Sequence, residues 1–362
     1  MSPRAVRILQ VTSYPPPRAG WGVRVEFLKR ALETLGHTCV VLNIGRSRTI
    51  PSPEYETVLG LGDYVKKVWR FSRAGFTVHM HVNGQSEKGF VLALLGAGIN
   101  LLWGRRCLLT FHAGVDQKYF PKERAPFLFP MYWLMFAIPK RVICNSETVR
   151  RKIAEFGVPP AKIVAIPAFS RQYLEYVDAA LPAPLEAFLG SRPEIVFTYI
   201  RVRPGFYLDV LIEGFALLAG RRPTTGLVLL GVAGDIDPVL HADLMQRIAA
   251  HDLAARLLIV DDLDHDRFLI ALRRSSLYLR TPTSDGVASS VLESLALGIP
   301  VVAAENGTRP PGVVTYRATD AGHMAEVLED TLERRSEIVA GLPKPELQDT
   351  VATEVNLLID GG

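Results

Sequence analysis

The chain has 362 residues, 48% of them hydrophobic and 22% charged, with a net charge of +4. That length exceeds one ordinary core and predicts two domains, and the composition excludes a disordered, collagen-like or disulfide-framed chain. The small net charge hides a split: residues 1–190 carry 25 basic and 13 acidic side chains, residues 191–362 carry 16 and 24. Either the basic half is an ordinary solvated surface, or it meets an anionic acceptor or membrane surface. Its basic residues are dispersed without a reader motif, which gives no ground for nucleic-acid binding. Cys39, Cys107 and Cys144 lie in apolar runs without metal or CxxC spacing, as buried thiols in a reducing compartment would. Met1 to Gln10 has no signal-peptide segment, so the expected location is the cytoplasm.

In chain order, an apolar strand is predicted over 5–12, followed by a proline-rich loop, Ala19-Gly20-Trp21-Gly22, and a helix from Val23 to Leu35. Val25, Leu28, Leu32 and Leu35 fall at helical spacing, and Gly36-His37 leads into a strand at Thr38–Leu42. Further strands are predicted at Phe76–His81, Cys107–Phe111, Arg141–Cys144 and Ile163–Ile166, mostly separated by helical patterns. A Pro/Ala/Leu-rich linker is expected from Asp178 to Pro193. The alternation then restarts with strands at Ile195–Ile200, Leu227–Leu230, Leu257–Val260 and Leu277–Leu279, and helices at Leu208–Leu218, Pro238–His251 and Asp266–Arg274. Such alternation predicts two doubly wound α/β sheets with a ligand cleft between the domains. Two apolar stretches are each read as a core helix or a membrane-interface segment. Phe90–Trp103 is too short to span a bilayer, and Pro126–Pro139 is aromatic-rich and flanked by basic residues.

The stretch from Thr281 to Ala304 concentrates the chemistry. A turn containing Asp285 and Gly286 passes through Val287 and Ala288 into a helix starting at Ser289-Ser290. Glu293 lies about two turns beyond Asp285, and Gly298-Ile299-Pro300 stops the helix before a buried strand. Small residues at the positive end of a helix let backbone N–H groups approach an anion. Two carboxylates beside that anion site suit a ligand carrying phosphates and hydroxyls, as a sugar nucleotide does. The acidic run Asp261–Asp266 is read as a strand-to-helix loop with N-cap residues, not a metal site. No resident metal or cofactor is expected.

The segment Asp285-Gly286 through Glu293 to Gly298-Ile299-Pro300-Val301-Val302 resembles the nucleotide-sugar motif of family 4 glycosyltransferases, the retaining group 1 enzymes of GT-B fold. Similar elements run along most of the chain: Ala19-Gly20, Gly36-His37, Thr110-Phe111-His112-Ala113-Gly114, Asn145-Ser146-Glu147 and the strand ending Tyr199-Ile200-Arg201. The chain departs from the family in three places. Asp285 stands for a Glu, Phe206-Tyr207 for Lys-Gly, and Pro167-Ala168-Phe169-Ser170 for Pro-Asn-Gly-Val.

The resemblance implies a GT-B architecture of two Rossmann-like domains facing across a cleft, with an acceptor domain at 1–180 and a donor domain at 181–362. It gives catalytic roles to His112, Asp285 and Arg201. Gly20, Arg201, Arg203, Gly286, Val287, Ala288, Ser289, Ser290 and Glu293 would bind the donor, Arg203 as a substitute for the missing lysine and Glu293 at the ribose hydroxyls. The implied activity is metal-independent retaining transfer from a nucleotide-diphosphate sugar to a lipid-linked or polysaccharide-precursor acceptor, in the cytoplasm or at the inner membrane face. Because Phe206 replaces the lysine, a non-catalytic sugar-nucleotide binder is the alternative.

Overall fold

A computed structural model describes residues 5–15, 21–112, 114, 117–232, 236–283, 288–343 and 347–361. The first half contains β1 (Arg7–Thr12), α1 (Trp21–Thr34), β2 (Thr38–Asn43), β3 (Glu56–Thr57), α2 (Leu61–Arg73), β4 (Thr77–Val82) and α3 (Glu87–Leu102). It continues with β5 (Leu108–Phe111), α4 (Phe129–Ala137), β6 (Arg141–Cys144), α5 (Glu147–Ala154) and β7 (Ile163–Ala165). The second half runs α6 (Ala183–Gly190), β8 (Glu194–Tyr199), α7 (Leu208–Arg221), β9 (Thr225–Leu230), α8 (Pro238–Ala250), β10 (Leu257–Val260) and α9 (His265–Arg273). It ends with β11 (Leu277–Arg280), α10 (Ser289–Ala296), β12 (Val301–Ala304), β13 (Val313–Tyr316), α11 (Ala321–Glu333), α12 (Arg335–Gly341) and α13 (Thr350–Gly361).

Two compact units result, Met1–Gln172 with Gln348–Gly362 and Tyr173–Leu347. Each is built on one parallel sheet, in the order β3-β2-β1-β4-β5-β6-β7 and β10-β9-β8-β11-β12-β13. The strands are nearly continuous Val, Ile and Leu because helices cover both faces. In both sheets the strand order reverses beside the first strand, at β1/β4 and at β8/β11. Such a switch point is where loops diverge and a crevice opens at the strands' carboxyl ends.

The expected boundary at 180/181 needs correction. The division falls at 172/173, and the last helix belongs to the first unit. Val351, Val355 and Leu358 of α13 pack with Ile8, Leu28, Leu32 and Leu108, a destination set by this packing and invisible in the local sequence. The anticipated linker also contains α6, because Leu181, Leu185 and Leu189 recur every four residues and form one apolar stripe in the second unit's core.

Segment 167–170, which departs from the family pattern, fastens α13 within the first unit. The Ser170 hydroxyl accepts from the Thr350 and Val351 N–H groups at 3.1 and 3.3 Å, satisfying donors that a helix start otherwise leaves open. The Pro167 carbonyl accepts from Arg24 at 2.7 Å.

Both apolar stretches contribute to the core. Phe90, Ala93 and Ala97 of α3 are buried, and Tyr132 and Phe136 of α4 pack around Phe111 and Phe156. The other side of α4 and its approach expose Phe127, Phe129, Trp133 and Leu134. Among the described residues no helix is long and apolar enough to cross a membrane. The three cysteines are buried free thiols, each pushed up to about 12 by burial.

Candidate functional site

Each switch point carries a cluster of polar side chains, and the two differ in charge. In the first unit, Gln10 of β1, His79 and His81 of β4, and Thr110 of β5 stand on adjacent strands, with His112 just past the end of β5. All five are buried. Strand alternation puts His79 and His81 on one face, and α1 and α13 close over them with Arg24 and Glu354.

Two hydrogen-bonded chains thread this layer. In the first, His79 Nε2 meets Thr110 Oγ1 at 2.8 Å, Thr110 Oγ1 donates to Glu354 Oε1 at 3.0 Å, and Arg24 Nε donates to Glu354 Oε2 at 2.5 Å. In the second, His81 joins Gln10 Oε1 through Nε2 at 2.7 Å and His112 Nε2 through Nδ1 at 2.9 Å. Trp21, the first residue of α1, stacks on the His112 ring with centroids 4.6 Å apart. Burial holds all three imidazoles below their ordinary value, His79 at about 4 and His81 and His112 well below the usual imidazole range. Arg24 pushes each the same way. For His79, Glu354 opposes it.

The second unit's switch point is cationic. Arg201 follows β8 and lies over the Tyr199 ring, 5.0 Å from its centroid; burial pushes the nearby Asp262 carboxyl up, and the Leu263 N–H and Arg201 only partly offset it. Phe206, at the position where the family carries lysine, is buried between two guanidiniums. Arg203 lies 5.3 Å and Arg280 5.4 Å from its centroid. A guanidinium–ring contact contributes about 0.5–1 kcal/mol where exposed, as at Arg203, and about 2 kcal/mol where desolvated, as at Arg280. Arg203 is exposed, whereas Arg280, the last residue of β11, is buried and donates to the Tyr199 carbonyl at 3.1 Å. A buried guanidinium therefore stands beside Phe206 from a different strand.

Backbone shape holds these groups in place. Tyr207 takes the glycine position and keeps a left-handed conformation at φ 48°, a cost of about 1–2 kcal/mol for a residue with a Cβ. Its hydroxyl is hydrogen-bonded to Thr283 at 3.0 Å, and Thr281 Oγ1 donates to the Phe206 carbonyl at 2.6 Å. Arg309 ties Ala304 to Pro282 through their carbonyls. At Gly231, φ 91°, a Cβ would stand 2.7 Å from the Ile200 carbonyl and 2.8 Å from the Tyr199 ring. Only glycine lets the loop after β9 pass there.

Glu293 is buried on α10, 3.1 Å from His265 Nε2, the first residue of α9. Asp264 accepts from the Arg267 N–H as the α9 N-cap, as expected from the acidic run. Helix α10 starts at Ser289 without a side-chain cap, and Ser290 Oγ accepts from Tyr278 at 2.7 Å. Helical geometry leaves the Ser289 and Ser290 N–H groups without intrahelical partners, whereas those of Val291 and Leu292 donate to the Ala288 carbonyl at 3.0 and 3.3 Å. Among the expected site residues, Gly20, Asp285, Gly286 and Val287 lie outside the described residues.

Sequence reasoning missed Gln10, Trp21, His81, His265 and Arg280. Gln10 is the polar residue inside an apolar strand, and His79 and His81 share a strand face by period two, so both signals were present. Arg280 closes an otherwise apolar strand, which was a further signal.

Comparison with known proteins adds a family. The model of Glycosyltransferase Family 4 matches residues 19–169, and that of Glycosyl transferases group 1 matches residues 186–330. A curated relative, the lipopolysaccharide core biosynthesis mannosyltransferase LpsB of Rhizobium meliloti, is 29% identical over 121 residues, which are 33% of this chain and 34% of the relative. The match therefore spans about a third of that protein's length. HepE of Anabaena, solved with UDP-glucose, has a TM-score of 0.72 at 16% identity, covering 98% of both chains. A glycosyltransferase from Rickettsia africae has a TM-score of 0.69 at 16% identity, covering 99% of this chain and 96% of that one. At such identities the structural likenesses establish the fold, two Rossmann-like units of the GT-B type.

Proposed function

This chain belongs to the group 1 glycosyltransferases of family 4, and from that premise we propose that it transfers a sugar, with retention, from a nucleotide-diphosphate sugar to a lipid-linked or polysaccharide-precursor acceptor of the cell envelope. The observation that carries this reading is the trio of guanidiniums, Arg201, Arg203 and Arg280, held on Tyr199 and Phe206 at the ends of β8 and β11. Departure of a nucleoside diphosphate builds negative charge on its phosphates. Preorganised arginines and the open N–H groups around Ala288 to Ser290 would meet that charge without a resident metal. Glu293, oriented by His265, would accept the ribose hydroxyls, and Asp285 the hydroxyls of the transferred sugar. His112 would touch that sugar or its acceptor.

In the proposed step the bond from C1 to the diphosphate oxygen breaks. The acceptor oxygen bonds C1 on the same face, and its proton goes to the departing phosphate. HepE, solved with UDP-glucose, and LpsB, a mannosyltransferase of lipopolysaccharide core biosynthesis, support the donor class and an envelope acceptor respectively. The exposed aromatic side of α4, with Lys122 and Arg124 nearby in sequence, supports contact with an anionic membrane surface, consistent with action at the inner face.

One observation favours a second reading. Phe206 leaves the family's lysine absent, so the chain would bind sugar nucleotide without transferring it. A thermal-shift panel of UDP-, GDP- and ADP-sugars, followed by NMR of the product's anomeric centre, decides. Stabilisation by one donor class and a product with the donor's configuration are expected. Stabilisation with no transfer to any acceptor favours the second reading, and an inverted product defeats retention.

A further inference from the structure

His112 is the third member of a directional hydrogen-bonded chain. Gln10 Oε1 can only accept, so His81 Nε2 carries the proton of the 2.7 Å bond. A neutral His81 then has a bare Nδ1, and the 2.9 Å contact to His112 requires the proton to sit on His112 Nε2. The ring planes of His81 and His112 differ by 15° and their centroids are 5.2 Å apart, as two rings joined edge to edge by such a bond must be. The contact is thus in line with the nitrogen lone pair. Trp21 stacked on His112 and the 2.7 Å bond from the His112 backbone N–H to the Val82 carbonyl restrain the ring's remaining freedom. Among the described residues, the titratable or charged groups around the chain are His79 on β4, Arg24 on α1, Glu354 on α13 and Cys39 on β2, which faces Gln10.

We propose that His81, with Gln10, is a positioning residue that fixes His112 as the Nε2–H tautomer, so that His112 offers Nδ1 as a hydrogen-bond acceptor to a substrate hydroxyl. His112 therefore acts as a neutral acceptor and recognises a hydroxyl that donates. The nitrogen that holds the proton is set by the bond made at the other end of the ring. Contact of His112 with substrate rests on the glycosyltransferase reading above. The tautomer does not.

The test is a long-range proton–nitrogen NMR spectrum of the full chain labelled with ¹⁵N-histidine, the His112 signals being assigned with His112→Gln. A protonated Nε2 and a bare Nδ1, unchanged from pH 8 to 5.5, are expected. An Nδ1–H tautomer, a mixture, or titration near pH 6.5 overturns the proposal. His81→Asn keeps an acceptor where Nδ1 stands and should preserve the tautomer and kcat. His81→Leu should lose the fixed tautomer and lower kcat on the order of tenfold at unchanged donor KM. Equal effects of the two variants would contradict positioning. Full transfer by His112→Ala would refute substrate contact while leaving the tautomer result intact.

Discussion

The two switch points solve the same topological problem with opposite chemistry. At β1/β4 three imidazoles form a desolvated layer, covered by one buried ion pair, Arg24–Glu354. At β8/β11 the polar groups are guanidiniums spread over aromatic faces. A neutral, rigid layer suits recognition of hydroxyls by hydrogen bonds, and a guanidinium cluster suits an anion. Two sheets of nearly identical winding thus carry different polar chemistry at their switch points, set by a few residues on and just past their strands.

The largest expected effect separates stability from binding. Glu354→Ala leaves Arg24 buried without its partner and should cost about 3–5 kcal/mol in chemical denaturation. Donor affinity in the folded fraction should be little changed. In the second unit, Arg201→Ala should lower kcat about 10²–10³-fold, as removal of a preorganised charge partner does. Arg280→Leu should share much of that loss if it takes the lysine's part, and kcat measured for both variants checks this. Glu293→Gln keeps the shape but loses the charge, and donor KM should rise about 10- to 100-fold.

The first unit also carries a pH dependence, the smallest effect per unit of pH. His79 is held at about 4, below its ordinary value, so the unfolded chain takes its proton first. Its contribution is fully present above about pH 6.5 and lost as pH falls toward 4. The slope is at most about 1.4 kcal/mol per pH unit for each such histidine. Urea unfolding at a series of pH values should show that slope, and His79→Asn should flatten it.

Much of this fold was legible because parallel strands buried on both faces read as unbroken apolar runs, and because Glu293 and Gly298-Ile299-Pro300 keep fixed spacing around α10. The destination of α13 was not legible, since an amphipathic helix does not state which sheet it covers. Arg280 was hidden for a related reason. A strand-end residue becomes a site residue only when the neighbouring strand, here β8, is known. The Gln10–His81–His112 chain was half visible, as polar residues in apolar strands, but its order depends on the cross-strand register.

The most direct measurement is titration of a responsive nucleotide-diphosphate sugar into the wild-type chain, Arg201→Ala and His112→Ala, with transfer followed in parallel. Donor binding is expected in the wild type, its loss or strong weakening in Arg201→Ala, and near-normal binding with impaired transfer in His112→Ala. Unchanged binding in Arg201→Ala, with binding abolished in His112→Ala, would contradict that expectation.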